Sequence, residues 1–134
     1  MKNTNASQAD LLARARAARA HAYAPYSSFT VGAALRCADG SIIDGCNVEN
    51  ASYGLAMCAE RVAIGAAVAQ GKHDFVAIAV AGPDGVTTAP CGACRQVLVE
   101  FNPSMLVVYT TPSGQSNTTA GELLPEYFGP HALP

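Results

Sequence analysis

Leu11, Ala15, Ala18 and Ala22 recur at helical spacing with polar and basic residues between them, which predicts a first helix over residues 8 to 22. Ser7 and Asp10 at its start resemble a capping box, and residues 1 to 6 are polar and expected to be loose. Ala24-Pro25-Tyr26-Ser27-Ser28 ends the helix, because proline disfavours helical backbone at the residue before it. Val31 to Cys37 and Ser41 to Cys46 then flank Ala38-Asp39-Gly40, where Asp-Gly signals a hairpin and hence an antiparallel pair.

From Asn47 to Met57 periodicity is lost, and the stretch reads as a long loop of the kind that often carries function. Cys58 to Gln70 is a second helix, stopped by Gly71 and built of small apolar residues on nearly all sides. Such a helix is expected to be buried against a sheet on one side and another subunit on the other. Phe75 to Ala81 is apolar without alternation, as in an inner strand, and Gly82-Pro83-Asp84-Gly85 turns the chain. A third helix opens at Pro90-Cys91 and runs to Phe101, stopped by Asn102-Pro103. Met105 to Thr110 is a further strand, Ser116 to Thr119 at most a short edge strand, and Gly121 to Pro125 a last helical turn. The order predicts one α/β domain, a mixed sheet with helices packed on it.

Composition sharpens this picture. At 134 residues the chain can bury a core without disulfide staples, and with 50% hydrophobic and 13% charged residues it has less polar surface than a monomer usually carries. An oligomer is therefore expected. Net charge is −2, and four of eight basic residues (Lys2, Arg14, Arg16, Arg19) lie in the first nineteen positions, where they suit the solvated face of the first helix. No basic groove for a nucleic acid strand is offered, and no segment approaches the ~20 apolar residues of a membrane span or has signal-peptide character. A cytoplasmic protein is expected, and its five cysteines are read as thiols or metal ligands.

Cys91 and Cys94 stand at a helix start with the spacing of a metal-binding pair, and Cys58-Ala59-Glu60 supplies a third sulfur and an acid at another helix start. Three thiolates with no obvious fourth ligand describe a catalytic zinc site with one open position, one zinc per chain. Helix N-termini stabilise thiolates, and Arg61 and Arg95, each just after a ligand segment, are placed to donate hydrogen bonds to sulfur. Glu60, two residues from Cys58, lies ~200° around the helix, so it reaches the space beside the metal as a proton shuttle does. Two other readings stand beside this one: a redox dithiol at Cys91 and Cys94, and a structural zinc closed by Cys37, Cys46 or a histidine. His21, His73 and His131 are read as surface residues, Cys37 and Cys46 as small core residues, and Tyr26, Phe75 and Phe101 as packing.

Cys58-Ala59-Glu60 with Pro90-Cys91-Gly92-Ala93-Cys94 resembles the metal signature of the zinc-dependent cytidine deaminase superfamily in its three-cysteine form. Pro25 to Ala34, Gly45 to Gly54 and Glu122 to Pro125 are similar to the small homotetrameric cytidine deaminases of pyrimidine nucleoside salvage. The resemblance implies a three-layer α/β/α sandwich with a roughly five-stranded mixed sheet. It implies a hydrolase that converts cytidine and deoxycytidine to uridine and deoxyuridine plus ammonia, with Cys58, Cys91 and Cys94 on zinc and Glu60 moving protons. Asn47 and Glu49 match groups that hold a ribose hydroxyl, and Phe29 matches an aromatic wall of the base pocket. Phe128 matches a residue that a neighbouring subunit stacks on the pyrimidine; Ala51 and Tyr53 match residues that approach a neighbour's ligand. Deaminases of antibiotic aminonucleosides share the metal motif, but the segment from Asn47 to Tyr53 looks like the cytidine enzymes. A non-catalytic zinc module predicts a closed four-ligand site with no use for Glu60.

Overall fold

The computed structural model describes residues 4–134. Helix α1 (Thr4–Ala18) is followed by strands β1 (Gly32–Cys37) and β2 (Ile42–Cys46), helix α2 (Ala59–Ala69), strand β3 (Phe75–Ala81), helix α3 (Gly92–Phe101) and strands β4 (Leu106–Thr111) and β5 (Gly114–Thr119). The strands form one sheet in the order β2-β1-β3-β4-β5. Only β3 and β4 run parallel, because α3 carries the chain back between them; the other pairs are antiparallel.

Alternation along the strands divides the core in two. Ala33, Leu35, Ile78, Val80 and Val107 pack with Ala59, Ala63, Ile64 and Ala67 of α2 and Leu98 and Val99 of α3. Their neighbours Ala34, Ala77, Ala79, Ala81 and Val108 pack with Leu11, Leu12 and Ala15 of α1. A helix layer thus covers each face, giving the expected three-layer α/β/α sandwich, and β3 has no polar alternation because both its faces are buried. Among the described residues no helix is long and apolar enough to cross a membrane.

The hairpin between β1 and β2 turns on Gly40, whose φ of +89° favours glycine at that place. Gly45 of β2 has a different use. A Cβ there would lie 2.4 Å from the Ala59 carbonyl oxygen and 2.7 Å from the Ala63 nitrogen, so only glycine lets α2 come this close to the sheet. Gly45→Ala is expected to cost about 1–3 kcal/mol or more in urea denaturation, since both clashing atoms are backbone. Unchanged stability would mean that α2 can shift freely.

Four expectations need correcting. Helix α1 starts at Thr4, since residues 4 to 6 contain no breaker, so Ser7 lies inside the helix and does not cap it; residues 1 to 3 of the expected loose segment lie outside the described residues. The helix closes at Ala18 and tightens into a 3-10 turn, Arg19–His21. Strand β5 is six residues long and pairs with β4 from Thr111↔Gly114 to Leu106↔Thr119. Its polar side chains are no obstacle because the ladder bonds are made by backbone, and Asn117 Nδ2 donates to Gln8 Oε1 at 2.8 Å. No helix forms over residues 121 to 125, where Gly121 and Pro125 bracket too few residues to nucleate one. Leu123 and Leu124 pack against the core from irregular backbone instead, and a 3-10 turn forms later, at Pro130–Ala132.

Other readings match the structure. Phe75 and Phe101 pack with ring centroids 5.0 Å apart, Cys37 is buried in the core, and the three histidines are exposed. Two readings do not match: Cys46 is only half-buried and not a core residue, and Tyr26 is exposed and not packed inside, resting edge-on against Tyr53.

Candidate active site

Cys58 and Cys91 are the residues immediately before α2 and α3, in extended conformation, and neither helix start receives a side-chain cap. Their sulfurs therefore stand where the unpaired N–H groups and positive ends of two helices converge. Cys94, in the first turn of α3, completes the group. The three Sγ atoms lie within 4.8 Å of one another, and those of Cys58 and Cys91 are 3.7 Å apart.

Tetrahedral zinc with sulfur at about 2.3 Å requires sulfurs roughly 3.8 Å apart, so the donor set and its spacing fit that ion. Among the described residues no fourth histidine, cysteine or carboxylate joins the three, as a site with an open position requires. The structural-zinc reading loses its closing ligand.

Charge within the cluster is unevenly held. A hydrogen bond from Cys94 and the Arg61 guanidinium bring the Cys58 thiol down to about 5, while Cys94, donating to Cys58 and buried, is held well above the ordinary thiol range. Arg61 Nη2 donates to Cys58 Sγ at 3.5 Å, as expected from its position. Arg95 does something else. Its Nε donates to the Pro90 carbonyl at 2.7 Å and its Nη1 to the Leu123 carbonyl at 3.0 Å. The residue lies a further ~100° around α3 from Cys94, and the carbonyls there need donors, so it braces the loop before Cys91 and binds no sulfur.

Glu60 is 4% exposed, and burial pushes its carboxyl above the usual carboxylate range, with the nearby Cys58 thiolate adding to the effect. A carboxyl so placed is held more readily in its protonated form than a solvated one, as suits a group that both takes and gives a proton. It opens on a cavity of about 260 Å³ shared with Cys58, Cys91, Phe29, Asn47 and Glu49. Loops and helix ends from four separate stretches of sequence meet in this one hollow and bring those six residues together. Ala51, Tyr53 and Phe128 lie outside it. Tyr53 lines an adjoining hollow of about 370 Å³, Ala51 is exposed, and Phe128 is exposed with its carbonyl accepting from Gln96 Nε2 at 2.7 Å.

Asn47 and Glu49 hold the loop that bears Phe29. Asn47 Oδ1 accepts from the Val31 N–H and its Nδ2 donates to the Phe29 carbonyl, both at 2.8 Å. Glu49 Oε1 accepts from the N–H groups of Tyr26 (3.0 Å) and Ser27 (3.2 Å), and its Oε2 accepts from the Ser27 hydroxyl. These bonds hold the Glu49 carboxyl below its usual range, so it is anionic at neutral pH. Sequence reasoning missed Ala56, Met57 and Thr88 as cavity walls, and missed Ser27 as a partner of Glu49. Ala89 next to Pro90 was a signal for one wall; nothing in the pattern marked the others.

A model of the family described as cytidine and deoxycytidylate deaminase zinc-binding region matches residues 5–110. The chain is 47% identical over 125 residues to a cytidine deaminase of Sporosarcina psychrophila, covering 92% of each sequence. It is 49% identical over 120 residues to one of Halalkalibacterium halodurans, covering 88% of this chain and 91% of that one. The crystal structure of a cytidine deaminase from Burkholderia pseudomallei superimposes with a TM-score of 0.84 at 49% identity, covering 95% of this chain and all of that one.

Proposed function

The chain belongs to the cytidine and deoxycytidylate deaminase zinc-binding family, and from that premise we propose that it hydrolyses cytidine and deoxycytidine to uridine and deoxyuridine, releasing ammonia. The observation that carries this reading is the three-sulfur cluster, two of whose cysteines line one cavity together with the buried Glu60 carboxyl. Cys58, Cys91 and Cys94 would hold a zinc ion, which supplies Lewis acidity that makes water nucleophilic near neutral pH. Glu60 accepts a proton from the attacking water and delivers it to ring nitrogen 3, then carries the second water proton, from the hydroxyl now on carbon 4, to the leaving amine as the carbon–nitrogen bond breaks. Arg61 offsets the negative charge of three sulfurs and so preserves that acidity. Phe29 walls the base, while the remaining N–H of Asn47 and the free lone pair on Glu49 Oε2 hold a sugar hydroxyl.

The test is the ultraviolet absorbance of cytidine with purified protein, beside a zinc count. Loss of the cytidine band at about one zinc per chain supports the reading; full zinc with no change in absorbance overturns it.

The finer proposal is a homotetramer with shared sites, acting in nucleoside salvage. Its support is an apolar stretch just before the cavity-lining Ala56 and Met57, where Tyr53 is 78% and Leu55 66% exposed, and an exposed apolar side of α2 at Gly65, Val68 and Ala69. Three free thiols as ligands call for a reducing compartment, the cytoplasm. Phe128, 61% exposed and not among the residues lining its own cavity, is the ring offered to a neighbour. Phe128→Ala is expected to raise KM about tenfold, the order of one base–aromatic stack. Co-expression with Glu60→Gln should restore sites in which intact Glu60 meets a neighbour's intact Phe128. No recovery of wild-type KM in mixed assemblies, or a monomeric mass by light scattering, counts against sharing.

A further inference from the structure

Ser27 lies in a turn that the chemistry above leaves without a task. Its hydroxyl makes two bonds: it donates to Glu49 Oε2 and accepts from the Phe29 N–H at 3.0 Å. The second is a local turn contact of a kind serine makes widely. The first is not local, since it crosses 22 residues of sequence to a loop on the far side of β1 and β2. Ser28, the next residue, has a φ of +59°, an uncommon conformation for a residue with a side chain, so the turn is held in a particular shape.

The backbone of Phe29 is gripped on both sides: its N–H by Ser27, and its carbonyl by Asn47. Glu49 is gripped as well, by two N–H groups on Oε1 and by the Ser27 hydroxyl on Oε2. Without the hydroxyl, Oε2 would have no protein donor among these contacts, and the carboxylate could turn about its Oε1 bonds. With it, one lone-pair direction on Oε2 remains free, on a residue that lines the cavity.

We propose that Ser27 is a positioning residue for sugar recognition, its hydroxyl tying the Glu49 carboxylate to the backbone of Phe29 so that sugar grip and base wall are set by one turn. The inference rests on the reading that Glu49 holds a sugar hydroxyl. Ser27 touches neither the base nor the reacting atoms in this scheme. Its loss weakens nucleoside binding and leaves the proton transfers of Glu60 in place.

The experiment measures kcat and KM for cytidine, and inhibition constants for uridine and 2′,3′-dideoxyuridine, in wild type, Ser27→Ala, Ser27→Thr, Glu49→Ala and the double variant Ser27→Ala/Glu49→Ala. Zinc is counted in each. Ser27→Ala is expected to raise KM about tenfold, as for loss of a hydrogen bond to a charged group, with kcat within about twofold. Uridine should weaken by a similar factor, and 2′,3′-dideoxyuridine, which lacks the gripped hydroxyl, should be unaffected. Ser27→Thr keeps the hydroxyl and should restore most of the binding. The double variant should bind no worse than Glu49→Ala, because the two residues act as one unit. If Glu49→Ala discriminates between the two inhibitors but Ser27→Ala weakens both equally, or adds fully to Glu49→Ala, the role of Ser27 is overturned and that of Glu49 stands. If Glu49→Ala weakens both inhibitors equally, the sugar role of Glu49 fails, and the Ser27 proposal fails with it.

Discussion

Glu60→Gln is expected to lower kcat by about 10²–10⁴-fold, the usual range for removing a general acid–base, while one zinc per chain is retained. Glutamine has the size and shape of glutamate, so the cavity and the three sulfurs beside it are undisturbed. What is lost is the ability to take a proton from one atom and give it to another. The carboxyl is 4% exposed and its burial disfavours the charged form, so the amide should leave the melting temperature of the metal-free protein unchanged or higher. Absorbance assays, a zinc count and a melting curve on the same preparation check all three parts. Turnover within a few-fold of wild type would remove Glu60 from the mechanism. A loss of zinc with activity would instead make it a support of the metal site.

Cys94→Ala is expected to abolish zinc retention and activity together. The side chain is fully buried under the other two sulfurs, and the remaining pair would face solvent on one side with no third donor. Removing a residue that only orients a ligand costs about 10–100-fold in metal affinity, so removing a ligand should cost more than ~100-fold. Metal binding energy adds to folding energy, so the melting temperature of the zinc-loaded wild type should exceed that of the variant, and the gap should close when the wild type is stripped by a chelator. Cys46→Ala is the control, since that thiol stands in β2 outside the cluster, and it should keep both zinc and turnover. Full zinc in Cys94→Ala would mean that Cys58 and Cys91 suffice or that another donor replaces the third sulfur.

Much of this site was legible beforehand because its chemistry demands rare residues at tight spacing. Cys91 and Cys94 are three apart on one helix start, and Cys58 and Glu60 are two apart on another, so local helix geometry already orients each pair. Arg61 shows the same logic, being one helical turn from Cys58. Arg95 shows where it fails. Residue type and sequence distance were right for a bond to sulfur, but the carbonyls of Pro90 and Leu123 took its donors, and Leu123 is 28 residues away. Ser27 failed in the same manner, since its partner Glu49 is 22 residues off and no local pattern marks the pair.

The elements follow a similar division. Turn chemistry at Asp39-Gly40, the stop at Gly71 and the apolar run from Phe75 to Ala81 were enough to place the hairpin, the second helix and the inner strand, because each depends on neighbours within a few residues. Strand β5 and the segment from Gly121 to Pro125 depended on what lies beside them. The backbone of β4 recruits Gln115 to Thr119 into the sheet regardless of their polar side chains, and the core accepts Leu123 and Leu124 without a helix. The sequence alone thus determined the helix starts that carry the sulfurs, the acid beside them and the layered α/β plan, all of which rest on short-range geometry and periodicity. Only the tertiary structure decided that these starts converge within 4.8 Å, that Glu60 is buried, and that Asn47, Glu49 and Ser27 hold Phe29 at the cavity wall. Those facts depend on how far-separated segments pack against one sheet, and no local property of the chain records that distance.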